Sequence, residues 1–220
     1  MAKRIGVLLS GCGVMDGSEI HEAVLTLLAI DNAGAEAVCV APNVDQMHVV
    51  NHVTGQPAEG QRRNVLEEAA RIARGKIHDA ATVSAAGLDG LVIPGGFGAA
   101  KNLCTYAVDG VNCQVNPDVA RLVREMHAAS KPVAALCIAP VLLAKILGEQ
   151  TAVSVTIGND AATANDIRQL GGQHANCPVE ECIVDAANKI VTTPAYMLAQ
   201  SIGEAGAGIE KTVRALVEMA

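Results

Sequence analysis

One cysteine lies at a junction where a nucleophile could be presented. Val133–Leu136 is typical of a buried strand, and it passes without a linker into the helical segment Ile138–Leu147, with Cys137 between them. Such a turn is tight and needs small flanking side chains, which Ala135 and Ala139 supply. The helix N-terminus beside the thiol favours the thiolate form. The pattern therefore predicts a nucleophilic cysteine, with a small buried core cysteine as the alternative.

A glycine-rich turn follows a second predicted strand, Leu91–Pro94. Its sequence is Gly95-Gly96-Phe97-Gly98. Backbone N–H groups in such a turn can point at an oxygen that gains negative charge during a reaction. The N–H groups of Gly96 and Ile138 could together form an oxyanion hole, although a turn that only reverses the chain has the same composition.

Two carboxylates lie near the start of the first predicted helix, which covers about 19–33 with Val24, Leu27 and Leu28 on one face. Asp16-x-x-Glu19 fits a capping box, which gives Glu19 a structural role. Glu22 has no such role, and it lies in the first turns of a helix that begins near the same sheet edge. It is a candidate acid–base group, with an exposed helix carboxylate as the alternative.

Two other motifs support weaker interpretations. Gly11-x-Gly13 suggests a dinucleotide-binding loop, but its next glycine is at 17 and the helix starts too late for a tight phosphate loop. A metal site is conceivable at His174, Cys177 and Cys182, but it lacks a fourth ligand and the spacing of a zinc finger. We therefore do not expect the first motif to bind a dinucleotide or the second to bind a metal ion, and no metal or cofactor is predicted.

The elements that must position these residues alternate along the chain. Short apolar runs alternate with segments of helical periodicity, as in a doubly wound sheet. Strands are predicted at 5–9, 37–41, 91–94, 133–136, 153–157, 183–185 and 189–192. Helices are predicted at about 19–33, 64–74, 117–130, 138–147, 161–170 and 209–219. Residues 43–63 are expected to lie outside the main sheet, and no linker divides the chain, so residues 1–220 are predicted to form a single α/β domain.

Composition excludes several classes of partner. The chain has 16 Lys and Arg against 23 Asp and Glu, a formal charge of −7, so nucleic acid is an unfavourable partner. No apolar run approaches the ~18 residues needed to cross a bilayer, and no membrane partner is expected. The seven cysteines form an odd number without a Cys-x-x-Cys motif or a secretory signal. Free thiols in a reducing cytoplasm are therefore expected.

Four segments carry a resemblance to a known family over nearly the whole chain. They are Gly11–Glu22, Pro94–Leu103, Leu136–Pro140 and Thr192–Leu198. The chain resembles the ThiJ/PfpI branch of the class I glutamine amidotransferase-like superfamily. The first and last segments are specific to its ElbB group, bacterial proteins labelled isoprenoid-biosynthesis glyoxalases.

This resemblance implies a flavodoxin-like three-layer sandwich with a mostly parallel central sheet. It also implies that Cys137 is the nucleophile, that the Gly96 and Ile138 amides are the oxyanion donors, and that Glu22 is the acidic partner, with Glu19 in reserve. The chain departs from other branches where they carry a histidine. The departures are Ile138 directly after the cysteine, Gly158-Asn159 near the strand at 157, and Thr193-Pro194-Ala195 near the last strand.

The function expected from the resemblance is a cofactor-independent glyoxalase. It would convert glyoxal or a similar small α-oxoaldehyde to a 2-hydroxy acid such as glycolate through a Cys137 hemithioacetal, with overlapping deglycase chemistry. The alternative is a redox-responsive or partner-binding protein of the same fold with little turnover. A small carbonyl substrate and a homodimer are the expected partners.

Overall fold

The computed structural model describes residues 2–220. Its strands are β1 (Arg4–Leu8), β2 (Glu36–Ala41), β3 (Val50–Asn51), β4 (Gln56–Pro57), β5 (Ile77–Asp79), β6 (Gly90–Ile93), β7 (Val133–Leu136), β8 (Ser154–Val155), β9 (Gln173–His174), β10 (Ile183–Asp185) and β11 (Ile190–Thr193). Its α-helices are α1 (Ile20–Asn32), α2 (Val65–Ile72), α3 (Phe97–Lys101), α4 (Tyr106–Asp109), α5 (Pro117–Ala128), α6 (Pro140–Leu147), α7 (Ala161–Gln169) and α8 (Ile202–Met219).

A seven-stranded sheet in the order β10-β11-β7-β6-β1-β2-β5 forms the centre of the fold. Every neighbouring pair is parallel except β10 and β11, which form an antiparallel hairpin at one edge. Helices cover both faces of this sheet, and the prediction of a flavodoxin-like three-layer α/β fold is confirmed. From β1 the chain moves first to β2 and later to β6 on the other side. The carboxyl ends of β1 and β6 therefore flank a topological switch point, where open α/β sheets bind ligands.

Alternation along the strands divides the core between the two faces of the sheet. In β1, Ile5 and Val7 belong to the cluster formed with α1 and α8, while Leu8 belongs to the cluster formed with α5 and α6. Strands in the middle of the sheet are apolar throughout because both of their faces are covered. None of the helices described in residues 2–220 is long and apolar enough to span a membrane.

Helix α1 buries a different face from the one predicted. Val24 and Leu28 are 49% and 52% exposed. The buried face instead holds Glu22, Ala23, Thr26, Ala29 and Ile30. Where α1 packs against α8, the half-buried Leu25 lies beside Gly206.

Other elements also differ from the sequence-based expectations, among them α3, α4 and β9, which were not predicted. The predicted strand 153–157 is reduced to β8, which pairs with β9 in a small separate sheet. Edge strand β5 was not predicted because its sequence, Ile77-His-Asp79, carries little apolar pattern. Helix α8 begins seven residues earlier than expected, at Ile202 rather than 209. Its first turns contain several glycines, which weaken the helical pattern, but Ser201 caps the helix by accepting the Glu204 N–H.

Candidate active site

Cys137 lies in the strained turn between β7 and α6. Its φ is 60°, in the left-handed region that a side chain with a Cβ rarely adopts. Its N–H donates to the carbonyl of Thr193 at the end of β11 at 3.0 Å, and the Ala139 N–H donates to the Leu136 carbonyl at 2.9 Å. Pro140 occupies the first turn of α6. The sharp strand-to-helix turn predicted at Cys137 is therefore present, and the thiol is almost completely buried.

The two glycines after β6 are required by close approach to this cysteine. A Cβ added to Gly95 would lie 3.0 Å from the Cys137 Sγ and 2.7 Å from the Glu22 Oε2. Gly96 has φ 92°, and a Cβ there would collide with the backbone of residues 17–19. Only glycine fits either position, so the turn brings its backbone directly against Cys137 and Glu22.

Glu22 is fully buried at the point where three segments meet. Its Oε2 accepts the Gly95 N–H at 2.8 Å and its Oε1 accepts the Tyr196 N–H at 3.2 Å. Burial raises the pKa of Glu22 to about 7, and these backbone bonds and a hydrogen bond with Cys137 limit the increase. A carboxyl group that titrates near neutral pH can both accept and return a proton there.

The Cys137 thiol is held in its protonated form rather than as the expected thiolate. Burial raises the pKa of this thiol well above its usual value, and the negative charge of Glu22 and its hydrogen bond add to the increase. The N–H groups of Gly96 and Ile138 act in the opposite direction, but they do not outweigh burial. The favourable effect expected from the helix N-terminus is therefore overcome. The same two amides lie beside the sulfur, where an oxyanion formed on a bound carbonyl would need donors.

Glu19 caps α1 and is itself the N-cap residue. Its side chain accepts the Glu22 N–H at 2.7 Å, and its own N–H donates to the Gly95 carbonyl at 2.9 Å. The predicted capping box, with Asp16 as the cap, is therefore wrong. Asp16 instead accepts the N–H of Val50 at 2.7 Å and fastens the excursion at 43–63 to the β1 loop. Glu19 holds the helix that carries Glu22.

Sequence reasoning missed Tyr196 and His21. The Tyr196 N–H reaches Glu22 because the chain turns sharply after β11, with Ala195 at φ 43°. The Tyr196 hydroxyl pairs with the exposed His21 Nδ1 at 2.9 Å, one residue before Glu22. Tyr196 lies within the segment Thr192–Leu198 that carried the family resemblance, which was the available signal. The contact with Glu22 is made by the backbone N–H of Tyr196, however, and nearly every residue type has such a group, so the residue type alone could not indicate it.

The two weaker motifs are used structurally. In the loop Gly11-x-Gly13, the Gly13 N–H donates to the Ser18 carbonyl at 2.9 Å and the Gly17 N–H to the Gly13 carbonyl at 2.7 Å. These donors are therefore not directed at a phosphate. His174 Nε2 accepts the Ile157 N–H at 3.3 Å. Across residues 2–220, no group of three or more His, Cys, Asp or Glu side chains is arranged to hold a metal ion.

Comparison with known proteins places this site in a family. Residues 12–195 match the DJ-1/PfpI family. The chain belongs to the DJ-1/PfpI family. This confirms the resemblance to the ThiJ/PfpI branch of the class I amidotransferase-like superfamily. This DJ-1/PfpI chain is also similar to the crystal structure of an isoprenoid biosynthesis protein with an amidotransferase-like domain from Ehrlichia chaffeensis. The two share 38% identity and a TM-score of 0.92, over 99% of this chain and 100% of that one.

Two eukaryotic relatives correct the predicted location. The chain is 50% identical to glutamine amidotransferase-like class 1 domain-containing protein 3, mitochondrial, from Homo sapiens, over 99% of this chain and 84% of the human protein. It is 47% identical to ES1 protein homolog, mitochondrial, from Rattus norvegicus, over 98% and 84% of the two chains. Both names specify mitochondria, so the cytoplasmic prediction for this DJ-1/PfpI protein is wrong. Free cysteines distinguish reducing from oxidising compartments and do not identify which reducing compartment applies.

Proposed function

We propose that this protein is a cofactor-independent glyoxalase that converts glyoxal, or a similar small α-oxoaldehyde, to a 2-hydroxy acid. The observation that carries the proposal is that the Cys137 Sγ and the buried Glu22 Oε2 lie 3.0 Å and 2.7 Å from the same point, the position that a Cβ on Gly95 would occupy. The Gly96 and Ile138 amides also act on the sulfur. This arrangement combines a nucleophile, a base whose pKa lies near neutral pH and two hydrogen-bond donors for an oxyanion.

In the first step Glu22 takes the thiol proton as the Cys137 sulfur bonds to the aldehyde carbon. The electron pair of the C=O bond moves to oxygen, and the Gly96 and Ile138 N–H groups stabilise the resulting oxyanion. Glu22 then returns the proton to that oxygen, which gives a hemithioacetal and restores the carboxylate. Because the pKa of Glu22 is about 7, its carboxyl group can accept and return this proton at neutral pH. The raised pKa of Cys137 means that the thiol loses its proton only as the bond from sulfur to carbon forms.

In the second step Glu22 removes the proton from the former aldehyde carbon and gives it to the oxygen of the neighbouring carbonyl, which forms an enediol. Glu22 then takes the proton of the hydroxyl group on the former aldehyde carbon and gives it to the neighbouring carbon, as the C=O bond of the thioester forms. One carbon is oxidised and its neighbour is reduced, so no external electron acceptor is needed. The product is a Cys137 thioester. Water hydrolyses it, which releases the thiol and, from glyoxal, glycolate. Glu22 is the only acid–base group assigned to this step, because no histidine was found at the family's usual positions.

A second candidate is a redox-responsive or partner-binding protein with little turnover. The raised pKa of Cys137 favours it, because a protonated thiol is a weaker nucleophile until a base acts on it. The two candidates differ in whether Glu22 transfers protons to and from a bound carbonyl.

The deciding experiment supplies glyoxal to the purified protein and identifies the product by NMR. Wild-type protein should form glycolate catalytically, whereas Cys137→Ser should form none. Glyoxal consumed only in stoichiometric amount, without glycolate, would reject the glyoxalase and leave the second candidate. The expected homodimer is a separate prediction, which sedimentation velocity of the same sample tests.

A further inference from the structure

Two cysteines outside the active site lie at the two ends of a partly exposed segment. Cys104 and Val115 form an isolated antiparallel bridge, and Cys113 lies two residues before Val115. In an antiparallel pair, a residue and the diagonal neighbour of its partner project from the same face. Cys104 and Cys113 are therefore diagonal neighbours, and residues 105–112, which contain α4, join them along the chain.

The two cysteines influence each other electrostatically. Each thiol is the largest influence on the pKa of the other, and the Cys104 Sγ donates to the carbonyl of Ala99 at 3.4 Å. Both cysteines are buried and neither is part of a disulfide. The register of the bridge therefore brings two reduced, buried thiols to the same face of the chain.

The surroundings make one member of the pair the nucleophile. The Cys104 thiol lowers the pKa of Cys113, and the ammonium group of Lys145 lowers it further, against burial and the charge of Asp109. Lys145 is fixed nearby by its bond to the carbonyl of Val111 at 3.2 Å. The Cys113 thiol raises the pKa of Cys104 in turn. Because the Lys145 ammonium group is held at the Val111 carbonyl, two residues from Cys113 along the chain, we take Cys113 as the thiol that attacks an oxidant and Cys104 as the thiol that attacks second.

We propose that Cys104 and Cys113 form a reversible intramolecular disulfide when the protein meets a small peroxide. This oxidation site is separate from Cys137, and it does not depend on the proposed glyoxalase activity. Residues 105–112 join the two cysteines and include α4, with exposed residues at 107–109 and 112. In this proposal a small neutral oxidant reaches the buried thiols through local opening of this segment.

The chemistry has two steps that balance. The Cys113 thiolate attacks one peroxide oxygen, an S–O bond forms as the O–O bond breaks, and the departing hydroxide takes a proton to become water. Cys104 then attacks the Cys113 sulfur as its own proton is lost, which forms the S–S bond and releases the second oxygen as water. Two thiols are oxidised by two electrons in all, and one peroxide is reduced. A small dithiol reverses the reaction.

The test is a mass-spectrometric measurement on natively folded protein. The Cys137→Ser variant is treated with hydrogen peroxide, which removes oxidation of Cys137 from the result, and free thiols are then alkylated in denaturant. Trypsin releases the peptide Asn102–Arg121, which contains Cys104 and Cys113 and no other cysteine. The proposal predicts that this peptide is unalkylated, lacks two hydrogens, and becomes doubly alkylated after dithiothreitol.

Matched controls use Cys104→Ser and Cys113→Ser in the same background. Neither should give the loss of two hydrogens, and each should leave its remaining cysteine alkylated or oxygenated. If the peptide from the peroxide-treated parent is doubly alkylated without dithiothreitol, or carries added oxygen on either sulfur without a disulfide, the proposal is overturned. Linkage of Cys104 or Cys113 to a cysteine of another peptide would overturn it as well.

Discussion

Cys137 and Cys113 are both buried, yet their surroundings give the two thiols opposite properties. Burial raises the pKa of any thiol because it destabilises the charged form. At Cys137 the carboxylate of Glu22 increases this effect. At Cys113 the Cys104 thiol and the Lys145 ammonium group reverse it. Burial alone therefore does not set the pKa of a cysteine in this protein. The neighbouring groups determine whether that pKa rises or falls.

The kind of neighbour also suggests the reaction. Cys137 faces a group that can take its proton and return it, which suits addition to a carbonyl followed by proton transfer. Cys113 faces a second thiol that can take the place of an oxygen on sulfur, which suits disulfide formation. Substitutions at one site should therefore leave the chemistry of the other unchanged.

The largest expected effect is on glyoxal turnover, which should depend on Cys137 and not on the other cysteines tested. Cys137→Ser should abolish glyoxal loss, whereas Cys12→Ser, Cys104→Ser and Cys177→Ser should each keep most of it. Hydroxyl oxygen is a far poorer nucleophile than sulfur at neutral pH, and Cys137 is the cysteine placed beside Glu22. Steady-state assays on folded variants check this. An active Cys137→Ser enzyme together with an inactive Cys12→Ser enzyme would place the nucleophile elsewhere.

A second effect concerns the stability that Glu22 controls. The folded-state pKa of Glu22, about 7 against an ordinary value of 4.5, means that the folded protein holds this proton more tightly than the unfolded chain. Wild-type protein should therefore lose stability as pH rises from 4.5 through 7, by about 3 kcal/mol at ~1.4 kcal/mol per pKa unit. Urea unfolding at a series of pH values measures this loss.

Glu22→Gln is the matched control for that pH dependence. The amide accepts only one of the two backbone N–H bonds, so at low pH the variant should be less stable by about 1–3 kcal/mol. Because glutamine does not ionise, the difference between the two proteins should shrink as pH rises toward 8. A difference that stays constant with pH would show that Glu22 titrates normally.

Glu19→Gln is expected to have a much smaller effect. Glutamine keeps an oxygen that can accept the Glu22 N–H, and losing part of a helix cap costs about 1 kcal/mol or less. Turnover should stay near the wild-type rate, since Glu19 acts by positioning α1. A variant that unfolds normally but no longer consumes glyoxal would assign the proton transfer to Glu19.

Metal removal should have no effect on turnover. The proposed reaction moves electrons only between adjacent carbons, so exhaustive chelation and desalting should leave the rate unchanged. A rate that falls and returns with zinc would contradict this expectation and direct attention back to His174, Cys177 and Cys182.

Local features of the two regions could be predicted from the sequence. Cys137 and Gly96 were identified because a strand that runs directly into a helix, and a glycine-rich turn after a strand, are visible in a few consecutive residues. Glu22 could be nominated from the sequence, but its burial could not, because that burial depends on the turns after β6 and β11 closing over α1. The apolar pattern was misleading, since Val24 and Leu28 face outward.

The paired cysteines could not be predicted at all. Cys104 and Cys113 are separated by a segment without a recognisable turn motif, and their proximity depends on the bridge between Cys104 and Val115. The raised pKa of Cys137 was missed for a related reason. The helix N-terminus can be inferred from sequence, whereas the desolvation that outweighs it depends on packing from several elements.

The division of work between Cys137 and Glu22 is the central claim, and glyoxal turnover by Glu22→Gln tests it most directly. Addition needs the thiol and the two amides, whereas transfer between carbons needs a base, so turnover should fall by ~10²-fold or more. Alkylation of Cys137 by iodoacetamide, measured on the same sample, should persist and show that the site remains accessible. A Glu22→Gln enzyme that forms glycolate at the wild-type rate would contradict the proposed mechanism.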